Sequence, residues 1–216
     1  MAIELHGYKY SVYLQAARIV LAEKGVPYRR VEVNPFAENM PQSYLDLHPF
    51  GRVPALVHDE FVLYETVAIT RYIDESFAGP ELQSDEPRKR ARMAQIISIV
   101  DSYAYWPMVR QLYVQRISGP RRGRQTDEEE VRRGIEGSDR ALAALDAISS
   151  EGEQLAHGEP SLADFHLIPM MAYFTATEEG QDLLARYRSL SAWWDIIRYR
   201  PSLMDTDPGV PDGAES

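Results

Sequence analysis

Three places in the first third of the chain carry residues whose types and neighbours could do chemistry. Ser11 follows Tyr8 and Tyr10 at what reads as a strand-to-helix junction. A hydroxyl there lies beside free backbone N–H groups and the positive end of a helix dipole, a setting that favours an anion, including a thiolate supplied by a ligand. Arg52-Val53-Pro54-Ala55 puts a proline at the opening of a strand. Proline cannot donate to a sheet ladder, so it belongs at such an edge, and it is the residue at which a cis peptide costs least. The edge left open by that turn can accept an extended peptide. Glu65-Thr66 stands at the mouth of a long helix. There a carboxylate can take an ammonium, while helix N–H groups and a hydroxyl take a carboxylate. Singly these are ordinary caps and turns. Together they describe a groove for a short zwitterionic peptide bearing a thiol.

The elements that must position these residues alternate in type. Ile3 to His6 reads as a short strand, and from Val12 to Lys24 the apolar Leu14, Ala17, Val20 and Leu21 recur at helical spacing. Ser11 stands where an N-cap belongs and Gly25 where a helix stops. Tyr28 to Val33 is rich in β-branched and aromatic residues and reads as a strand, and Pro41 to Leu47 as a short helix. Residues 55–58 and 61–64 flank Asp59-Glu60 as a hairpin, and Thr66 to Phe77 forms a helix with Ile69, Tyr72 and Ile73 on one face. The order is βαβ, a short helix, two strands and a helix: a small mixed sheet with helices.

Gly79-Pro80 and Ser84-Asp85-Glu86-Pro87 punctuate a change of character. Beyond them no strand is expected. Arg88 to Ile117 reads as one helical run with a kink at Pro107. Thr126-Asp127-Glu128-Glu129 reads as a capping box opening a helix to about Ile148, and Ser161-Leu162-Ala163-Asp164 as another, with Pro169 inside its helix. A final helix is expected over Ser191 to Arg200, stopped by Pro201. The expected organisation is α/β plus all-α: a first domain over 1–79, an all-helical domain over 86–205 and a flexible tail over 206–216.

Composition bounds the partners. The 216 residues hold 44% hydrophobic and 26% charged residues, ordinary values for a globular fold. With 33 Asp+Glu against 23 Lys+Arg the formal charge is −10, which argues against nucleic acid or an anionic membrane surface as partner. Arg121-Arg122-Gly123-Arg124 is the one basic cluster, and four acids that follow closely mark it as a solvated loop. There is no cysteine, hence no disulfide framework, cysteine-ligated zinc or cysteine nucleophile. His6, His48, His58, His157 and His166 are scattered, with no pair at metal-ligand spacing, so no metal is expected. No apolar stretch is long enough to span a bilayer, and Met1–Gly7 lacks the features of a signal peptide; a cytoplasmic location is expected.

The strings Ser11 with Ala22-Glu23-Lys24-Gly25-Val26-Pro27-Tyr28, Leu47-His48-Pro49-Phe50-Gly51-Arg52-Val53-Pro54-Ala55-Leu56, and Tyr64 to Ile73 follow one another in an order that resembles the cytosolic glutathione transferases. Ser161-Leu162-Ala163-Asp164 is similar to that family's buried capping box, and Ser191-Ala192-Trp193-Trp194-Asp195 with Arg200-Pro201-Ser202 to its last-helix signature. The resemblance covers nearly the whole chain. It implies an N-terminal thioredoxin-like domain followed by an all-helical domain. It also implies an enzyme that activates the thiol of glutathione, its cosubstrate, for attack on an apolar or aromatic electrophile. Ser11 matches the serine of the serine-type classes, phi and theta, whose hydroxyl donates to the sulfur; Tyr8 is the rival for that role. Val53 and Pro54 match the turn that pairs with the cysteinyl part of glutathione, and Glu65 and Thr66 the residues that hold its γ-glutamyl end. Phe50 matches an aromatic key that inserts into a partner subunit, which implies a homodimer.

This sequence departs from the phi pattern at two places. Asn39 and Met40 occupy the nearest positions to a His-Lys pair that meets the glycine carboxylate, and His48 replaces an asparagine. Either Arg52 takes that carboxylate or glutathione is held more weakly. The second substrate is expected against the helical domain, where Tyr103, Trp106, Arg110 and Tyr113 recur at intervals of three and four and can share a helix face. Conjugation, ether cleavage and removal of halide all begin with the same thiolate attack. A glutathione-dependent isomerase and a non-catalytic binding or regulatory module are the alternatives.

Overall fold

A computed structural model describes residues 2–152, 154–155 and 159–209. The chain divides into two units, one of residues up to Glu81 together with Asp205–Gly209, the other running from Leu82 to Met204.

The first unit is built on a four-stranded sheet in the order β2-β1-β3-β4. Its strands are β1 (Ile3–Gly7), β2 (Arg29–Glu32), β3 (Ala55–His58) and β4 (Phe61–Tyr64), and its helices α1 (Val12–Glu23), α2 (Gln42–Leu45) and α3 (Thr66–Ser76). β1 pairs parallel to β2, while β3 runs antiparallel to both β1 and β4. Alternation in β1 turns Ile3, Leu5 and Gly7 inward. They meet the apolar stripe of α1, which packs on α3 through a core holding Leu14, Ala17, Ile69 and Ile73. Gly25 (φ 64) ends α1, with the Val26 N–H reaching back to the Leu21 carbonyl. Just before Gly25, the buried Lys24 ammonium is 3.1 Å from Asp74 and donates to the Pro80 carbonyl at 2.9 Å, tying the end of α1 to the end of α3.

In the second unit α4 (Pro87–Ile99) runs into wider turns over Val100–Ala104 and Trp106–Ser118, where N–H groups reach five residues back: Tyr105 to Val100 and Gly119 to Val114. This corrects the expectation of a single helix kinked at Pro107. One turn, α5 (Gly119–Arg121), then holds part of the arginine cluster, and α6 spans Glu128–Ser149. Asp127 caps α6, accepting from the Glu129 and Glu130 N–H groups, while the Thr126 hydroxyl instead donates to the Gln115 carbonyl. α6 lies close on the wide turns because Gly137 has no Cβ; one there would sit 2.8 Å from the Pro107 side chain.

Almost every side chain of α7 (Leu162–Phe174) is buried, Pro169 included. It packs on α4 and the wide turns, and α8 (Glu178–Leu184), α9 (Arg188–Ile197) and α10 (Pro201–Thr206) follow it in the chain. α8 has only seven residues, too few for a periodic signal in the sequence, and starts on the buried cap Thr177. Pro201 does not merely stop the last helix but opens another, the place where its missing N–H costs nothing. The tail expected from 206 is also corrected in part. Thr206 is buried, and Arg18 donates to its carbonyl at 2.8 Å; residues 210–216 lie outside the described residues. No helix among the described residues is long and apolar enough to cross a membrane.

Candidate functional site

The register of the sheet brings the three sequence-predicted places to one end of the first unit. β1 ends at Gly7, four residues before Ser11. Because β3 is antiparallel to β1, His6 faces Ala55, the residue after Pro54. Because β4 is antiparallel to β3, Ala55 also faces Tyr64, the residue before Glu65. Ser11, Val53-Pro54 and Glu65-Thr66 therefore line one edge, each at the point where the chain leaves or enters the sheet.

Ser11 has extended backbone (φ −78, ψ 122) and caps α1, its Oγ accepting from the Leu14 N–H at 3.3 Å. A hydroxyl has one proton and two acceptor sites, and the cap uses an acceptor, so the proton remains available to a ligand. Gly7 makes this junction tight: a Cβ there would lie 2.7 Å from a Leu14 methyl, so a side chain at the end of β1 would push back the first turn of α1. Tyr8 packs edge-on against Tyr10 (5.5 Å between ring centroids) and Phe36 (5.7 Å). Phe36 is largely exposed, which leaves an aromatic surface beside Ser11. Sequence reasoning missed Phe36 because it lies in a loop with no periodicity.

The Val53-Pro54 peptide is cis. The turn before it is held by Tyr44 of α2, whose hydroxyl donates to the Arg52 carbonyl at 2.5 Å, while burial pushes the phenol up to about 12. The Arg52 side chain is exposed. Glu65 takes a left-handed backbone (φ 70), uncommon outside glycine, and leaves its side chain exposed at the N-terminus of α3; Thr66 behind it is buried. Phe50 is 69% exposed.

His48 also belongs to this corner, a position not read as functional from the sequence. It is buried with its ring 4.8 Å from that of Tyr64 and 6.2 Å from Phe50. Burial pushes its pKa down; Glu65 opposes that shift and Arg52 adds to it. The other histidines serve elsewhere: His6 pairs with Glu4 at 3.1 Å, His58 with the Tyr72 hydroxyl at 2.8 Å, and His166 is enclosed in α7, its pKa lowered to about 4 by burial. His157 lies outside the described residues. No three potential metal ligands come together among the described residues.

The structure does not bring the four helical-unit residues onto one face. Tyr103 and Trp106 are largely exposed, with the Arg110 guanidinium 5.9 Å from the Trp106 ring, whereas Tyr113 is buried and stacked on Tyr173 at 4.2 Å. Spacings of three and four share a face only at 3.6 residues per turn, and this stretch is wound more widely. A groove of about 760 Å³ does lie between the wide turns and α6, lined by Tyr103, Pro107, Gln111, Glu136 and Arg140, but not by Trp106, Arg110 or Tyr113.

Residues 5–81 match the glutathione S-transferase N-terminal domain and residues 94–201 the glutathione S-transferase C-terminal domain. Glutathione S-transferase F13 of Arabidopsis thaliana is 30% identical over 214 residues, covering 97% of each chain. Among solved structures, glutathione S-transferase III in its apo form superposes with a TM-score of 0.83 at 29% identity, covering 98% of each chain. Glutathione S-transferase I from maize, in complex with an atrazine glutathione conjugate, does so at 0.81 with 26% identity, covering 95% of this chain and 96% of that one. With both halves matched in order and relatives aligned end to end, the chain belongs to the glutathione S-transferase family.

Proposed function

We propose that this protein is a glutathione transferase of serine type: it binds glutathione along the open end of its first-unit sheet and joins the sulfur to an electrophilic carbon. The observation that carries the reading is the convergence of Ser11, the cis turn at Val53-Pro54 and Glu65-Thr66 on that one edge. The backbone before Pro54 pairs with the extended cysteinyl unit, Glu65 takes the γ-glutamyl ammonium, and Thr66 with the α3 N-terminus takes its carboxylate. Arg52 is the cation at hand for the glycine carboxylate. Ser11 donates its hydroxyl proton to the sulfur, which favours the thiolate; a hydrogen bond to a charged partner is worth roughly 1.5–3 kcal/mol, or about one to two pKa units. The thiol proton leaves to solvent. The thiolate lone pair then forms the C–S bond while a leaving group departs with its electron pair, or while a conjugated π bond takes up the electrons and a proton.

The Tyr8, Tyr10 and Phe36 rings beside Ser11 favour a flat, apolar or aromatic electrophile, and the maize relative's complex with an atrazine glutathione conjugate agrees with that class. The exposed Phe50 supports a homodimer in which it enters the partner subunit, and a cytoplasmic location belongs to the same reading.

The test is a glutathione titration by calorimetry, with the ultraviolet thiolate band followed across pH. Saturable binding with a lowered thiol pKa is expected. Binding without that shift would move the catalytic role from Ser11 to Tyr8 or leave a binding module. No binding at millimolar glutathione would leave only the fold. Light scattering at micromolar concentration is expected to give twice the chain mass; a monomer would overturn the dimer.

A further inference from the structure

Lys9 is a cation without an anion of its own, set in the turn that leads into Ser11. Tyr8 to Ser11 form a four-residue turn closed by the Ser11 N–H, which donates to the Tyr8 carbonyl at 2.9 Å; Lys9 and Tyr10 are its two central residues. The turn is also anchored to the end of β2, because the Lys9 N–H donates to Glu32 Oε1 at 3.0 Å. The other oxygen of that carboxylate is taken by the Arg30 guanidinium, so Glu32 holds the backbone of Lys9 and not its charge. The Lys9 ammonium stands instead 5.0 Å from the centroid of the Tyr10 ring, with its nitrogen 3.5 Å from the Tyr10 hydroxyl. Among the described residues no carboxylate comes within ion-pair distance of it. Covering the Tyr10 ring needs only the methylene stem of a lysine, so packing accounts for the stem and leaves the half-buried charge without a role. The ring it covers belongs to a larger surface: Tyr10 meets Tyr8 at 5.5 Å, and Tyr8 meets the exposed Phe36 at 5.7 Å. An unpaired cation therefore sits two residues before Ser11, on an anchored turn, against the rings read above as favouring a flat electrophile.

We propose that Lys9 is a specificity-determining residue that selects aromatic electrophiles bearing a carboxylate, its ammonium pairing with that group while the thiolate attacks. The proposal rests on the glutathione reading and deepens it by naming the class of second substrate. An anionic electrophile is repelled by the thiolate it must meet, and a cation beside the site offsets that repulsion. The ammonium gives up only a weak contact with Tyr10 to make a charge-assisted one with the substrate. With a chloroaryl acid, the sulfur lone pair forms the C–S bond, the C–Cl bond breaks, and chloride leaves with the bonding pair. The ammonium and the carboxylate keep their charges throughout.

4-Chloro-3,5-dinitrobenzoate and its methyl ester test this, since they share the reacting carbon and differ by one charge. For each probe, kcat/KM at saturating glutathione is divided by its uncatalysed rate with glutathione, which removes the difference in intrinsic reactivity. In Lys9→Met the value for the acid is expected to fall about tenfold and that for the ester by less than about twofold. Lys9→Arg, which restores the charge, is expected to bring the acid back to within about threefold of native. Equal losses for both probes, or no loss for the acid, would overturn the proposal and leave Lys9 a residue of the turn. A raised KM for glutathione with an unchanged acid-to-ester ratio would overturn it as well, and would assign the ammonium to a carboxylate of glutathione. A native protein that binds glutathione and conjugates neither probe would also overturn it; one that binds no glutathione would overturn the glutathione reading instead. Should Lys9→Met fail to fold, the native acid-to-ester ratio is followed from about 0.05 to about 0.5 M salt. Screening of the ion pair is expected to lower it about threefold, and a salt-independent ratio would overturn the assignment.

Discussion

Helices α1 and α7 both begin on a serine, and what surrounds the two hydroxyls differs. Ser161 donates its hydroxyl to Asp164 at 3.0 Å and its backbone N–H to the same carboxylate at 2.8 Å. The other oxygen of Asp164 accepts the Trp193 indole N–H at 2.7 Å, and the cluster lies in the core of the second unit. Among the described residues the Ser11 hydroxyl makes a single, longer bond, as an acceptor, at the edge of the first unit. The same residue type at the same helical position is thus a saturated lock in one unit and an uncommitted donor in the other. What distinguishes a structural cap from a chemical one is where the hydroxyl proton goes.

The sharpest break of this contrast is Asp164→Ala. It strands the Ser161 N–H and the Trp193 indole N–H inside the protein. At about 1–3 kcal/mol for each unsatisfied donor, a loss near 4 kcal/mol is expected in denaturant unfolding, with glutathione affinity of the remaining folded protein unchanged. A loss below about 1 kcal/mol would mean that the cluster is not the lock described.

His166, on the same helix, gives a pH signature to the second unit. Its folded pKa of about 4 lies below the ordinary value of 6.5, so the unfolded chain binds the proton first. The stability it contributes is fully present above pH 6.5 and is lost as pH falls towards 4, by up to about 3 kcal/mol. Native unfolding free energy should decline over that window and His166→Leu should flatten the decline; an identical slope in the variant would place the titrating group elsewhere.

Ser11→Ala sharpens the contrast from the other side. Removing the free donor should lower kcat/KM with a chlorodinitrobenzene by about 30- to 100-fold, equivalent to roughly 2–3 kcal/mol, while removal of the cap costs about 1 kcal/mol of stability or less. If Tyr8→Phe produces that loss and Ser11→Ala does not, the catalytic hydroxyl is the tyrosine's.

These differences also mark what was legible in the sequence. Ser11, Gly25, Pro54 and Ser161-Asp164 act through cap and turn chemistry that operates within a few residues, so their types and spacing already announce the structure. Tyr103, Trp106, Arg110 and Tyr113 did not yield to the same reading, because a face is defined by winding. The wide winding lies where Gly137 of α6 admits Pro107 close against it, a contact distant in sequence. His48 and Phe36 were equally opaque: His48 meets the ring of Tyr64 across the β3–β4 pairing, Phe36 meets that of Tyr8 beyond the β1–β2 pairing, and neither contact has a signal in the local sequence.

The smallest expected effect tests whether that corner is held from behind. Tyr44 touches none of the groups assigned to the ligand, yet its hydroxyl is the donor to the Arg52 carbonyl in the turn that presents Val53. Tyr44→Phe keeps the ring between those of His6 and His48 and deletes only that bond. A neutral hydrogen bond of this kind contributes about 1 kcal/mol, so stability should fall by that amount and the KM for glutathione should rise by about threefold to fivefold. Because the bond orients the turn proposed to pair with glutathione and not the sulfur, kcat at saturating glutathione should stay within about twofold of native. A fall in kcat with KM unchanged would show that α2 reaches the chemistry proposed at Ser11, and the division between a held turn and a free hydroxyl would have to be redrawn.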